Sequence, residues 1–127
     1  MENPKILIVD DDTELLESLS LRLCKEGFDV AVAVDGCQGL ERARTERPNL
    51  LILDINLPLG DGLSIQERLQ AMNGPWPPVI YLTGRKTIHT EIGIKRLGAF
   101  AVIYKPFEFS MLLETIKRAI ATSLHAV

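Results

Sequence analysis

The chain predicts an α/β fold: a parallel sheet covered by helices on both faces. Three observations carry this. Short apolar runs alternate five times with stretches of helical apolar spacing. The runs are bounded by turn residues, the pattern of a buried strand. The length, 127 residues, suits one domain with a core of its own. Strict strand–helix alternation of this kind builds parallel sheets with right-handed crossovers.

KILIVD at 5–10 is a short apolar run ending in acids and reads as the first strand. Leu16, Leu19 and Leu23 follow at helical spacing, and Gly27 stops that helix. FDVAVAV at 28–34 is the second strand, and a helix over about 37–46 ends before Pro48. LLILD at 50–54 is the third strand, and Pro58, Gly60 and Gly62 mark the loop after it. Ile65, Leu69 and Met72 mark the next helix. NGPWPP at 73–78 is a rigid loop into the fourth strand, VIYLT at 79–83, with Trp76 as a packing anchor. A helix over about 87–97 carries Ile88, Ile92 and Leu97 and stops at Gly98. FAVIYK at 100–105 is the fifth strand. After Pro106 the last helix places Leu112, Ile116, Ala119 and Ile120 on one face and leaves only a short tail. These stripes and the methionines are expected in the core. A single domain over 1–127 is expected, with no linker and no further repeat.

Hydrophobic residues make up 46% and charged residues 24%, as in ordinary folded chains. The apolar runs are far shorter than the roughly 20 residues that span a bilayer, and MENPK is no signal peptide. Cys24 and Cys37 lack CxxC spacing and read as free thiols in a reducing, cytoplasmic compartment. A net charge of −3 gives no electrostatic footprint for nucleic acid. The Arg-rich stretch at 41–48 interleaves Arg42, Arg44 and Arg47 with Glu41 and Glu46, as a solvated helix face does.

In a parallel sheet the strand C-termini share one edge, where ligands bind. Asp10, Asp11 and Asp12 follow the first strand, Asp54 the third, Thr83 and Gly84 the fourth, and Lys105 and Pro106 the fifth. Clustered carboxylates repel one another and need a cation or altered ionisation. Hard oxygens in small number suit Mg²⁺. A lysine suits a phosphoryl oxygen, and a carboxylate can accept a phosphoryl group as nucleophile. Each residue alone also has an ordinary reading. Asp11 with Glu14, Asp12 or Thr13 could cap the first helix, Thr83 could simply end a strand, and Lys105 could be an exposed charge. Their convergence on one rim favours phosphoryl transfer to Asp54.

The chain resembles response-regulator receiver domains from about Lys5 to Ile120. The matching pieces are ILIVDD at 6–11, DINLPLGDG at 54–62, YLTG at 81–84, GA at 98–99 and KPF at 105–107. The resemblance implies a flavodoxin-like doubly wound (βα)5 fold with strand order 2-1-3-4-5. It implies that Asp54 is the phosphoacceptor. Asp11 and Asp54 would bind Mg²⁺ directly, with the backbone carbonyl of Asn56, while Asp10 acts largely through water. Thr83 and Lys105 would contact the phosphoryl group, with Asn56 and Gly84 beside them. It further implies a cis Lys105–Pro106 bond. The implied partners are a sensor histidine kinase or phosphotransfer protein and a downstream domain or protein, with a homodimer as one form of output. Neither nucleic acid nor membrane is expected to bind the chain directly.

One departure stands out. The family often carries Tyr or Phe three residues before the KPF lysine, where this chain has Val102. The output surface is therefore expected to involve the helix over about 87–97, the fifth strand and the last helix, with Tyr104 as a stand-in ring. A phosphohydrolase would resemble a motif with a second Asp two residues after the nucleophile, where Asn56 stands. A non-phosphorylated interaction domain would not need the complete acid, Thr and Lys set. His89, in a helix, and His125, in the tail, lack partners at ligand spacing and read as surface residues.

Overall fold

The computed structural model describes residues 3–57, 62–72, 76–84 and 88–125, with side chains except at 89, 90 and 123–125. Pro58, Gly60, residues 73–75 of the NGPWPP loop, the link 85–87 and the side chains of His89 and His125 lie outside it. The order is β1 Lys5–Val9, α1 Thr13–Lys25, β2 Asp29–Ala33, α2 Gly36–Glu46, β3 Leu50–Leu53, α3 Gly62–Gln70, β4 Val79–Thr83, α4 Ile88–Leu97, β5 Ala101–Tyr104 and α5 Phe109–His125. All strand pairs are parallel, in the order β2-β1-β3-β4-β5, as the sequence and its resemblance lead one to expect.

β1, β3 and β4 sit inside the sheet, so their apolar runs are shielded on both faces. Alternation divides their side chains between two layers. Ile6, Ile8, Leu50, Ile52, Ile80, Leu82 and Ile103 meet α1 and α5 through Leu16, Leu19, Leu23, Leu112, Ile116, Ala119 and Ile120. Arg22 of α1 lies over the Phe109 ring of α5, 3.9 Å from its centre. On the other side Leu7, Val9, Leu51, Leu53, Val79 and Tyr81 meet Ile65 and Leu69 of α3, with Leu40, Ile94 and half-buried Trp76 packed around them.

Helix ends follow local chemistry. The Asp12 carboxylate accepts from the Leu15 N–H at 3.1 Å, which makes it the α1 cap. Asp35 caps α2 the same way, accepting from the Gln38 N–H at 2.7 Å. Gly27 and Gly98 follow α1 and α4 at φ +95 and +75, left-handed angles that side chains resist.

Four expectations need correction. Ile88 and Ile92 of α4 are 70% and 60% exposed, so of its apolar stripe only Leu97 is buried. Met111 is also exposed, not core. Met72 lies beyond the end of α3, which stops at Gln70. α5 reaches His125, so that residue belongs to a helix and not to a tail. For α3 and α4, periodicity marks an apolar face without showing how far the helix runs or what covers it.

Candidate functional site

The rim is built by extending three backbone ladders one residue past their strands. The Asp10 N–H donates to the Ala33 carbonyl at 3.1 Å, Asp54 to Val9 at 3.0 Å, and Lys105 to Thr83 at 2.9 Å. The sheet thus fixes where each functional side chain starts. The first residue of α3 closes in from the side. A Cβ on Gly62 would stand 2.5 Å from the Asp54 carbonyl oxygen, so only glycine lets α3 start this close to Asp54.

Carboxylate oxygens of Asp10, Asp11 and Asp54 all lie within 4.8 Å of one another. Asp10 and Asp54 are buried and Asp11 is exposed, so the trio opens to solvent on one side. Asp12 is occupied as the helix cap, and its N–H donates to Asp10 at 2.9 Å. Lys105 Nζ lies 2.6 Å from Asp10 Oδ2 and 3.3 Å from Asp54 Oδ2. The Asn56 N–H donates to the other Asp54 oxygen at 3.1 Å. Thr83 is fully buried and pairs with Tyr104 across the sheet. Gly84 is exposed, with open space where a Cβ would be. The Lys105–Pro106 bond is cis.

Burial raises the Asp10 carboxyl pKa above its ordinary value, against the lowering pull of hydrogen bonds from Lys105 and Asp12. Burial also works against the Lys105 charge, but the Asp10 hydrogen bond and the charges of Asp10 and Asp54 outweigh it. The ammonium is therefore held charged between two carboxylates. The expectation that Asp10 acts mainly through water gains a direct partner here, the Lys105 ammonium.

A cluster of three hard-oxygen acids with an open side suits a small divalent cation that keeps some of its waters. One further grouping is not legible in the sequence. The buried Tyr81 hydroxyl donates to Gln66 Oε1 at 2.5 Å. Gln66 is buried, and its contact with Tyr81 arises from the packing of α3 on β4.

The chain belongs to the response regulator receiver domain family, whose model matches residues 6–117. It is 38% identical over 115 residues to the transcriptional regulatory protein PrrA of Mycobacterium tuberculosis, covering 91% of this chain and 49% of that protein. It is 39% identical over 114 residues to the DNA-binding response regulator MtrA of Mycobacterium leprae, covering 89% and 49%. The chain thus spans about half the length of these relatives. A CheY-like receiver domain protein from Methanospirillum hungatei superposes with a TM-score of 0.91 at 33% identity, covering 97% of this chain and 98% of that one. Receiver domains are phosphoacceptor modules of two-component signalling, not classical enzymes. Among the described residues no helix is long and apolar enough to cross a membrane.

Proposed function

We propose that this chain is a phosphorylation-dependent switch with Asp54 as its phosphoacceptor. The observation that carries the reading is the Lys105 ammonium bridging Asp10 and Asp54 beside the open Asp11 carboxylate. An Asp54 oxygen attacks the phosphorus of a phosphohistidine on a sensor kinase or phosphotransfer protein. The P–N bond breaks, and the histidine leaves with the electron pair. Lys105 binds the transferred oxygens, Thr83 donates its hydroxyl to them, and the backbone N–H groups of Asn56 and Gly84 line the same rim. The Asp10, Asp11 and Asp54 carboxylates and the Asn56 carbonyl would hold Mg²⁺, which when bound neutralises charge on the phosphoryl group. Water later hydrolyses the acyl phosphate and resets the switch.

The output face is α4, β5 and α5. Ile88, Ile92, Phe100 and Met111 are exposed on these elements or at their edges, which supports a surface that changes partner. The occupant is a downstream domain or protein, or a second copy of this chain. The relatives are named as transcriptional and DNA-binding regulators of about twice this length, which favours transcriptional output from the whole protein. The negative net charge makes direct nucleic-acid binding by this domain unfavourable, and the cytoplasm is the proposed location.

Acetyl phosphate with Mg²⁺ should add one phosphoryl mass to the intact protein, and Asp54→Asn should abolish it. Equal labelling of the variant overturns the assignment.

A further inference from the structure

The side chain next to Val102 across the sheet is Tyr81, on β4, two residues before Thr83 and on the same face. Tyr81 is 0% exposed, and its ring packs in the α2–α3–α4 layer with Val102. Its hydroxyl lies 2.5 Å from Gln66 Oε1 and 3.3 Å from the Gly62 carbonyl. Gln66 Nε2 donates to the Leu97 carbonyl, at the C-terminal end of α4, at 3.2 Å. Gln70 Nε2 donates to the same oxygen at 2.8 Å.

The directions are set by the donors. A carbonyl only accepts, so the Gln66 amide turns its nitrogen to Leu97 and its oxygen to Tyr81. Among the described residues the single hydroxyl proton then has Gln66 Oε1 and the Gly62 carbonyl in reach, which gives the network alternative arrangements. One of those oxygens belongs to the residue pressed against the Asp54 carbonyl. The other leads to α4. Among the described residues of α4, Gly93 and Leu97 are buried and Ile94 is half-buried. An Arg96–Glu67 pair at 3.5 Å is exposed and weak.

We propose that Tyr81, Gln66 and Gln70 form a buried polar clasp on the Leu97 carbonyl, and that Tyr81 relays the state of the Asp54 loop to α4. The relay rests on Asp54 as phosphoacceptor; the clasp does not. Movement of Gly62 with the Asp54 loop draws the hydroxyl toward the Gly62 carbonyl. Gln66 then loses the contact that fixes its amide, and the end of α4 is released.

Tyr81→Phe removes the hydroxyl and keeps the ring. In ligand-free protein it should speed amide exchange over Ile94–Gly98 by about five- to tenfold, with β1 and β3 amides unchanged as the folding control. Gln66→Leu cuts the network from the other end and should do the same. Parental exchange at Ile94–Gly98 in both variants overturns the clasp. Beryllofluoride with Mg²⁺, which stands in for the phosphoryl group, should shift the NMR signals of Asp54–Asn56 and α4 in the parent. In Tyr81→Phe the Asp54–Asn56 shifts should persist while those of α4 fall by more than half. An α4 response of parental size overturns the relay. No beryllofluoride response at Asp54–Asn56 in the parent overturns the phosphoacceptor reading and the relay with it, and ligand-free exchange then decides the clasp alone.

Discussion

The two faces of the sheet are covered in different ways. On one, α1 and α5 lay an apolar layer rich in leucines and isoleucines across five strands. On the other, α3 packs on the sheet through Ile65 and Leu69, but α3 and α4 meet each other through a glycine and polar side chains. A Cβ on Gly93 of α4 would stand 2.7 Å from a Leu63 methyl of α3, and Gln66 and Gln70 reach the α4 terminus by hydrogen bonds. Apolar packing is strong and tolerates one arrangement, because a close-packed core has little room to repack. Hydrogen bonds can exchange partners at small net cost. The first face is built as a scaffold and the second as the part that can move.

The largest effect should come from the scaffold. Leu112 of α5 is 0% exposed, and Leu112→Ala should cost about 2–5 kcal/mol in urea unfolding. A loss below about 1 kcal/mol would erase the contrast between the faces. Gly62→Ala tests the opposite face where it meets the rim. Its Cβ would collide with rigid backbone at Asp54, so we expect about 1–3 kcal/mol of lost stability. Beryllofluoride affinity should fall with it, read by the same NMR shifts.

Lys105→Met acts at the rim that both faces share. Lys105 has a raised pKa, so its contribution is complete below the usual lysine value and fades only in strong alkali. Without it, Asp10 loses the hydrogen bond and charge that oppose its burial, and it binds a proton more tightly when folded than when unfolded. Folding then takes up protons, and stability rises as pH falls. In metal-free buffer the variant should lag the parent by about 1–3 kcal/mol at neutral pH. The gap should narrow by pH 5.5; a constant gap would mean the ammonium acts only through packing. The smallest effect belongs to the exposed face of α4: Ile92→Ser should leave stability within about 0.5 kcal/mol by thermal melting.

Most of the sheet was legible because a fully buried strand admits little except apolar residues, and LLIL and VIYLT say so directly. The rim was legible for a related reason: Asp10, Asp54, Thr83 and Lys105 each stand at or just beyond the end of such a run. α4 was misread. Ile88 and Ile92 keep helical spacing, but spacing cannot say whether another element lies over them. The Tyr81–Gln66 contact was hidden because it joins residues 15 apart on a strand and a helix. Taken singly, a tyrosine in an apolar run and a glutamine in a polar helix give no sign of each other.

The Lys105–Asp10 pair spans 95 residues of chain. β5 occupies the edge of the sheet and is made after every other strand. During synthesis the acids of β1 and β3 therefore emerge long before the ammonium that will sit between them. Bringing such distant segments together carries the loop-closure entropy of nearly the whole domain, and attraction between the carboxylates and Lys105 acts in its favour. The same charge set that serves the rim in the finished protein should therefore help to seat the last strand on the sheet. That guidance should weaken in high salt, where refolding should slow more than unfolding changes.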